Sequence, residues 1–201
     1  MGKLILVRHG ESQGNRERVF GISPATLPLT ELGYRQAREV AYQIAALFQP
    51  ERVVASPYLR ARETARVIAG ILQLQLEVEP QLHERDVGVL QGQSYDALHA
   101  APGYNAQAPW QWKPEGGESY VEVKARVAPI LDRLANEYAS RQVVIVSHGG
   151  VMQTLWAHVT GRWENIHVPP NCGIVVIEHG PRGYSQPQVL GDVCRAADPG
   201  G

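Results

Sequence analysis

The chain has 201 residues, of which 44% are hydrophobic and 19% charged, and its formal net charge is −1. This composition predicts a globular protein with a full hydrophobic core, and it excludes a largely disordered chain. The near-neutral charge argues against a nucleic-acid partner, because nucleic-acid binders need a basic surface.

The N-terminal apolar run, residues 4–7, is followed at once by Arg8 and His9. It is too short for the hydrophobic region of a secretory signal peptide. No other stretch approaches the roughly 20 apolar residues of a transmembrane helix. Two cysteines, Cys172 and Cys194, are too few for a disulfide framework. These features together predict a cytoplasmic protein with no membrane partner.

The first half of the chain alternates between short apolar runs and amphipathic patterns. Three short runs rich in aliphatic residues predict strands: residues 3–7, 52–55 and 76–78. Glycine, asparagine and proline in residues 13–28 predict a loop. Thr30 is placed to cap the helix that follows it. A second helix is predicted over residues 59–71, with an end or a kink near Gly70.

The middle of the chain, residues 91–117, has no clear periodicity and contains Pro102, Pro109 and Pro114. Trp110 and Trp112 lie between the last two of these prolines. We predict that this segment is an excursion that forms a cap or lid, and that the two tryptophans serve packing.

Regular patterns resume after residue 117. Ser119 and Glu122 match the capping box of a helix, and Pro129 predicts a kink in that helix or an earlier end. Further patterns predict two strands, a helix and a flexible tail: residues 142–147 and 173–178, residues 151–159, and residues 195–201.

The alternation of strands and helices predicts an α/β fold. Since parallel strands need helical connections, the sheet should be mostly parallel and covered on both faces, as in a three-layer αβα sandwich. The length of the chain predicts one domain over residues 1–201.

Reactive residues follow several of the predicted strands. Arg8 and His9 follow the first strand, and Arg60 comes shortly after the second. His148 and Gly149 follow the strand predicted at residues 142–147. Because the carboxyl ends of parallel strands meet at one edge of a sheet, we expect these side chains to lie together.

These residue types suit the transfer of a phosphoryl group. Arg8 and Arg60 can bind phosphate oxygens bidentately, and Asn15 can donate a further hydrogen bond. A neutral imidazole can attack phosphorus without bringing negative charge, whereas a second, protonated histidine would stabilise the phosphate oxygens. The leaving alcohol needs a proton from a carboxylic acid. Chemistry alone leaves four candidate acids open: Glu84, Asp86, Glu115 and Glu118.

The same residues belong to a wider, ordered pattern. It consists of six segments between residues 3 and 155: Arg8-His9-Gly10-Glu11-Ser12 with Asn15; Leu29 to Ala37; Ser56-Pro57 with Arg60 and Thr64; Leu82 and Glu84 with Gly88 and Gly92; Gly116 to Ser119; and Ser147-His148-Gly149-Gly150. This pattern resembles the histidine phosphatase superfamily, which includes the cofactor-dependent phosphoglycerate mutases.

The resemblance implies a phosphoglycerate mutase-like fold and a role for each residue. His9 would be the phosphorylated nucleophile, and Glu84 the proton donor and later the base that activates water. Five residues would bind the phosphate: Arg8, Asn15, Arg60, His148 and Gly149. Of these, Arg8, Arg60 and His148 would also be catalytic. The resemblance implies neither a metal nor a bound organic cofactor.

The family contains both phosphatases and mutases. Cofactor-dependent mutases resemble one another in an insertion between the acid and the second histidine. The corresponding stretch of this chain, residues 85–147, is shorter. We therefore predict a phosphomonoester hydrolase with a phosphohistidine intermediate, acting on a sugar phosphate, a phosphoglycerate-type ester or alpha-ribazole phosphate. A cofactor-dependent phosphoglycerate mutase and a non-catalytic protein that binds phosphorylated ligands are the alternatives. Homodimers are a further expectation from the resemblance.

Overall fold

A computed structural model describes residues 1–21 and 24–190 of the chain. In these ranges the strands belong to a single sheet: β1 (Gly2–Arg8), β2 (Arg52–Ala55), β3 (Leu76–Val78), β4 (Gln142–Ser147), β5 (Ile174–Gly180), β6 (Gly183–Tyr184) and β7 (Gln188–Val189). The strand order is β3-β2-β4-β1-β5-β6, and β7 pairs with β5. Strands β3, β2, β4 and β1 are parallel, whereas β5 is antiparallel to β1. The prediction of a mostly parallel sheet is confirmed.

The helices connect these strands: α1 (Gln13–Glu17), α2 (Glu31–Leu47), α3 (Leu59–Leu72), α4 (Ala97–Ala100), α5 (Tyr120–Glu137) and α6 (Gly149–Thr160). Short 3-10 turns lie at Pro24–Thr26, Pro80–Leu82 and Gly88–Leu90. None of the helices in the described ranges is long and apolar enough to cross a membrane.

The sheet separates two apolar layers, because successive side chains of a strand point to opposite faces. Leu4 and Leu6 of β1 pack in one cluster with side chains of α5 and α6. Ile5 and Val7 pack in the other cluster with side chains of α2 and α3. All four side chains are at most 2% exposed. This arrangement is the predicted αβα sandwich.

The predicted helix starts are confirmed by their caps. Thr30 accepts a hydrogen bond from the Gly33 N–H at the start of α2. Ser119 and Glu122 form the reciprocal capping box of α5, and the helix continues through Pro129 to Glu137. The proline therefore lies inside the helix rather than ending it.

One local prediction is wrong. Residues 13–17 are helical rather than part of a loop, because Ser12 and Asn15 form a capping box that starts a short helix. Helix α3 ends near Gly70 as predicted, at Leu72, and Gln73 adopts a left-handed conformation. Gly70 itself lies inside the helix, since a single glycine costs a helix only about 1 kcal/mol. The predicted tail at residues 195–201 lies outside the described residues.

Residues 91–117, here named the cap segment, run outside the sheet and contain α4. Backbone hydrogen bonds join its start to the chain after α1: the Phe20 N–H donates to the Gln93 carbonyl at 2.8 Å, and the Tyr95 N–H donates to the Arg18 carbonyl at 3.0 Å. Trp112 is 8% exposed and donates from Nε1 to the Pro102 carbonyl. The cap segment is thus bonded to the loop that leads away from β1.

Candidate active site

The carboxyl edge of the sheet brings the two predicted histidines together. Arg8 of β1 is in register with Ser147 of β4, so the residues that follow, His9 and His148, leave the sheet side by side. The His9 N–H donates to the Ser147 carbonyl at 2.9 Å. The centroids of the two imidazole rings are 5.1 Å apart. The strand-end cluster expected from the sequence is therefore present.

The tautomer of His9 follows from its hydrogen bonds. Its Nδ1 lies 2.7 Å from the carbonyl oxygen of Gly10, which can only accept, so Nδ1 carries the proton. Nε2 then carries a lone pair, which accepts a hydrogen bond from Arg60 Nε at 3.0 Å. The imidazole thus presents Nε2, and not Nδ1, to an incoming electrophile.

Its surroundings keep the His9 imidazole neutral. Burial holds the pKa of His9 well below its usual range, and the neighbouring charges of Arg60 and Arg8 lower it further. The hydrogen bond to the Gly10 carbonyl acts in the opposite direction, because it favours the protonated ring. The unprotonated form is the one that a nucleophilic histidine needs.

Helix α3 positions both Arg60 and the loop that carries His9. Arg60 is 7% exposed, and its guanidinium carbon lies 5.3 Å from the centroid of the Tyr58 ring. Thr64, one turn further along α3, accepts from the Gly10 N–H at 3.0 Å and donates to the Arg60 carbonyl at 2.8 Å. Burial lowers the pKa of Arg60, but a guanidinium stays charged in proteins. A cation is therefore fixed beside the nucleophilic nitrogen.

Arg8 supplies a second cation, and one of its N–H groups is available to a ligand. Its Nη1 donates to the Pro169 carbonyl at 3.1 Å, whereas its Nε is buried and has no hydrogen-bond partner among the described residues. A buried unpaired donor costs about 1–3 kcal/mol, so this N–H favours the binding of an anion. Gly149 lies beside it: a Cβ at that position would be 3.7 Å from Arg8 Cζ and Nε.

His148 lies behind His9 and is fully buried. Its Nε2 is 2.7 Å from Ser56 Oγ, and its Nδ1 has no partner within the described part of the chain. Burial holds the pKa of His148 well below its usual range, and the charge of Arg60 lowers it further. Burial therefore favours the neutral ring in the unliganded protein, and a protonated second histidine stays a prediction for the phosphate-bound site. A bound phosphate dianion would raise the pKa of this ring.

Glu84 is held by two backbone N–H groups. Its Oε1 accepts from the Arg85 N–H at 2.8 Å, and its Oε2 accepts from the Gly150 N–H in the first turn of α6 at 3.1 Å. A Cβ at residue 150 would lie 2.5 Å from Glu84 Oε1, so only glycine permits this approach. His148 is the N-cap of the same helix. One helix end therefore positions both the carboxyl group and the second histidine.

The other candidate acids have different surroundings. Glu118 pairs with Arg126 at 2.8 Å, Asp86 accepts from the Gly88 N–H at 2.9 Å, and Glu115 is exposed. None of these three acids lines the cleft described below. Within residues 1–21 and 24–190, no group of three or more His, Cys, Asp or Glu side chains could hold a metal ion.

Asn15 joins the nucleophile loop to two distant parts of the chain. Its Oδ1 accepts from Asn171 Nδ2 at 3.3 Å, and its Nδ2 donates to the Tyr95 hydroxyl at 3.4 Å. Asn171 Nδ2 also donates to the His9 carbonyl at 2.9 Å. Asn171 was not predicted from the sequence, because it follows no strand and its partners are far away in the sequence. Ser56 and Thr64 were noticed only as parts of the pattern, without their hydrogen-bonding roles.

The candidate residues surround one cleft of about 320 Å³. This volume lies near the lower end of the roughly 300–1,000 Å³ range of small-molecule sites. Six of the seven predicted residues line the cleft: Arg8, His9, Asn15, Arg60, Glu84 and Gly149. His148 does not line it, since its side chain is fully buried. The cap segment contributes Tyr95 and Leu98, and neither of its tryptophans lines the cleft.

The fold and this arrangement agree with what comparisons with known proteins find. The family model of the histidine phosphatase superfamily (branch 1) matches residues 4–189. A metal-independent phosphoserine phosphatase of Arabidopsis thaliana is 32% identical, over 79% of this chain and 68% of the relative. A probable phosphoglycerate mutase of Photorhabdus laumondii is 32% identical, over 80% of this chain and 76% of the relative.

A solved structure extends the likeness to almost the whole chain. The mycobacterial glucosyl-3-phosphoglycerate phosphatase in complex with VO3 superimposes with a TM-score of 0.80 at 27% identity, and the match covers 94% of this chain and 98% of that one. The chain belongs to the histidine phosphatase superfamily, in branch 1. The family prediction and the phosphoglycerate mutase-like fold are both confirmed.

Proposed function

We propose that this protein hydrolyses phosphomonoesters of small metabolites, with His9 as the nucleophile. One observation carries the proposal: a buried, neutral imidazole has Nδ1 bound to the Gly10 carbonyl and Nε2 directed at a guanidinium. The transfer of a phosphoryl group needs such a combination of a neutral attacking group and fixed cations.

Substrate binding rearranges the hydrogen bonds around Nε2. Phosphate oxygens are anionic and accept more strongly than a neutral ring nitrogen, so Arg60 Nε moves its hydrogen bond from His9 to the phosphate. The unpaired donor Arg8 Nε binds a further oxygen, and Asn15 and Gly149 line the same cleft. His148 Nδ1, which also has no partner among the described residues, donates to the phosphate once the bound dianion favours the protonated ring. The shift of Arg60 frees the lone pair of His9 for attack.

In the first step, His9 Nε2 forms a bond to phosphorus as the bond from phosphorus to the ester oxygen breaks. Glu84, in its protonated form, gives its proton to the leaving oxygen, so that a neutral alcohol departs. The positive charge on the phosphorylated ring is stabilised by the Gly10 carbonyl, which accepts a hydrogen bond from the Nδ1 N–H. Glu84 is left as a carboxylate.

In the second step, Glu84 takes a proton from a water molecule whose oxygen attacks the phosphorus. The bond from nitrogen to phosphorus breaks, the electron pair returns to Nε2, and inorganic phosphate leaves. Glu84 is protonated again and His9 is neutral, so both groups are ready for another turnover. The backbone N–H groups of Arg85 and Gly150 hold the carboxyl group in place for both steps.

Likeness to named relatives supports a small phosphorylated substrate. Two of the relatives described above carry the names of phosphatases, one for phosphoserine and one for glucosyl-3-phosphoglycerate. The cleft volume also suits a small ester. One relative is named as a probable mutase, so mutase product is assayed alongside phosphate release.

The test compares wild type with His9→Ala in excess chelator. The panel contains p-nitrophenyl phosphate, phosphoserine, phosphoglycerates, sugar phosphates and alpha-ribazole phosphate. We expect chelator-resistant phosphate release that falls by about 10⁴-fold or more in His9→Ala. His167→Ala, which changes an exposed histidine outside the cleft, should stay close to wild type.

The outcomes separate the competing functions. Acid-labile phosphate trapped on His9 during turnover would support the two-step route. Phosphate release that survives the loss of His9 would overturn the role of the nucleophile. Transfer of phosphate between positions of phosphoglycerate with little release would identify a mutase, and tight binding without turnover would identify a binding protein.

A cytoplasmic location and a single domain complete the proposal. The chain has only two cysteines, too few for a disulfide framework, which suits a reducing compartment. Cell fractionation with a tagged full-length chain checks the location. Limited proteolysis that leaves one stable core would support a single domain, and homodimerisation stays a prediction for light scattering to test.

A further inference from the structure

One part of the cleft wall, here named the apolar end, is formed by apolar side chains. Its walls carry six aliphatic or aromatic side chains: Val19, Phe20, Leu27, Val87, Leu98 and Val168. They come from the chain after α1, from the segment after Glu84, from the cap segment and from the loop before β5. Such a surface gains free energy by burying apolar groups and gives nothing to a charged one.

The cations of the cleft are already committed. Among the described residues that line it, only Arg8, Arg60 and Arg85 carry a positive charge at neutral pH. Arg8 and Arg60 flank His9 and serve the phosphate. Arg85 is therefore the remaining cation that a second anionic group of a substrate could use.

Arg85 is occupied by the protein itself. Its Nε donates to the Glu118 carbonyl at 2.7 Å, and its Nη2 lies 3.4 Å from the Trp112 carbonyl. Its guanidinium carbon is 4.3 Å from the centroid of the Tyr120 ring, and the residue is 7% exposed. Turning this group toward a ligand would leave buried carbonyl oxygens unpaired, which costs about 1–3 kcal/mol for each.

The acid of the site acts against a second negative charge as well. Glu84 lines the cleft at the point where the leaving oxygen must lie. Glu84 becomes a carboxylate as it gives its proton to the leaving oxygen, and a carboxylate or second phosphate on the alcohol would repel this developing charge in a partly desolvated cleft.

Resting on the proposed phosphatase function, we infer that the protein's substrates are monoesters of uncharged alcohols with an apolar or aromatic part. Esters that carry a second anion, such as a carboxylate, are poor substrates. The small cleft volume limits the apolar part to about one ring or a short chain.

The first arm of the test compares esters with similar alkoxide leaving groups. These are benzyl phosphate, glycerol 1-phosphate and 3-phosphoglycerate. We expect kcat/KM to fall in that order, by about tenfold or more between benzyl phosphate and 3-phosphoglycerate. If the phosphate ester that carries a carboxylate is the best substrate, the inference is overturned. The release of phosphate from it would still support the proposed function.

The second arm shortens the apolar wall. Phe20→Ala should lower kcat/KM for benzyl phosphate by about tenfold, and it should change kcat/KM for methyl phosphate by less than about twofold. Methyl phosphate lacks the group that the wall would contact, so it reports any general damage. Phe48→Ala is the matched control, since Phe48 packs against the core on the α2 side and does not line the cleft.

The third arm supplies the missing cation. Leu98→Lys should raise the ratio of kcat/KM for 3-phosphoglycerate to that for benzyl phosphate by about tenfold, because the ammonium gives the carboxylate a partner. Leu47→Lys changes an exposed leucine at the end of α2 and should leave the ratio unchanged. An unchanged ratio in Leu98→Lys, with 3-phosphoglycerate still hydrolysed, would contradict the inference alone. No hydrolysis of any ester would instead overturn the proposed function and the inference with it.

Discussion

The two ends of the cleft are built in different ways. At the phosphate end, His9, Arg60 and His148 are at most 7% exposed, and each is bonded to a fixed partner within the protein. At the other end, Phe20 and Leu98 are half-buried side chains that contact a ligand only through apolar surface. The first end defines a reaction through many hydrogen bonds, whereas the second end defines a preference through shape and polarity.

This difference predicts that substitutions at the phosphate end affect rate for every substrate. Substitutions at the apolar end should instead change which substrate is preferred. The experiments below test that division, in order of decreasing change in rate or stability.

After the loss of His9, removing the acid should give the next largest loss, with a dependence on the leaving group. Glu84→Gln should lower kcat for alkyl phosphates by about 10²–10⁴-fold, because the leaving alkoxide receives no proton. The first step with p-nitrophenyl phosphate should survive, since p-nitrophenolate leaves unprotonated. A burst of p-nitrophenolate followed by slow turnover should therefore be seen in rapid mixing.

The control for this experiment is Glu115→Gln, which changes an exposed glutamate of the cap segment that does not line the cleft. It should behave as wild type with both kinds of ester. A first step that is slowed equally for alkyl and aryl esters in Glu84→Gln, with no burst of p-nitrophenolate, would show that the carboxyl group has a structural role only.

The buried histidines should make stability depend on pH. Burial lowers the pKa of His9 and of His148 in the folded protein, so the unfolded chain binds more protons as the pH falls below about 6.5. Stability from these groups is present above pH 6.5 and decreases toward the folded pKa values. Each histidine contributes a slope of up to about 1.4 kcal/mol per pH unit.

Urea unfolding at several pH values between 5.5 and 7.5 measures this slope. His9→Gln should reduce the slope, since one buried histidine is gone. His179, whose pKa burial also lowers, keeps its own contribution in both proteins. The same slope in wild type and His9→Gln would mean that His9 is not neutral when folded.

Loss of the Ser56 hydroxyl should affect catalysis less strongly. Ser56→Ala removes the group that orients His148 through Nε2 at 2.7 Å. A hydrogen bond of this kind contributes about 0.5–1.5 kcal/mol, so we expect kcat/KM to fall by up to about tenfold for all esters alike. Steady-state kinetics with benzyl phosphate and 3-phosphoglycerate checks the point, with Ser140→Ala as an exposed control. A loss confined to one ester would break the division between the two ends.

The smallest effect is expected where the two ends meet. The Tyr95 hydroxyl of the cap segment lies 3.4 Å from Asn15 Nδ2 and 3.5 Å from the Gly14 carbonyl, and both contacts are long. Tyr95→Phe should therefore raise KM by about two- to fivefold with little change in kcat. Tyr42→Phe, at a residue that is 64% exposed, is the control. A fall in kcat comparable with that of Glu84→Gln would show that the cap segment takes part in the chemistry.

Local patterns were sufficient to predict most of the framework. Strands at Arg52–Ala55 and Gln142–Ser147 agree with the sequence because each is a short apolar run between polar breaks. The position of His9 beside His148 also followed, since both come directly after parallel strands. These features depend on near neighbours in the sequence and on one rule about sheets.

The remaining features depend on contacts that no local pattern contains. Asn171 reaches the His9 carbonyl across the fold, and the protonation of His148 is governed by its depth of burial. The helix at residues 13–17 was missed because its cap uses Asn15 in place of the usual glutamate or glutamine. The apolar end of the cleft combines residues from four separate segments, so its character appears only after folding.

The attachment of both His148 and Glu84 to the start of α6 has a consequence for how specificity can diverge. The distance between the acid and the phosphate pocket is set by the start of α6 and not by the cap segment. Residues 91–117 can therefore be exchanged between relatives as a cassette, as long as the contacts of the chain after α1 are kept. Such chimeras should acquire new substrate preferences while the hydrolysis of the phosphorylated histidine keeps its rate.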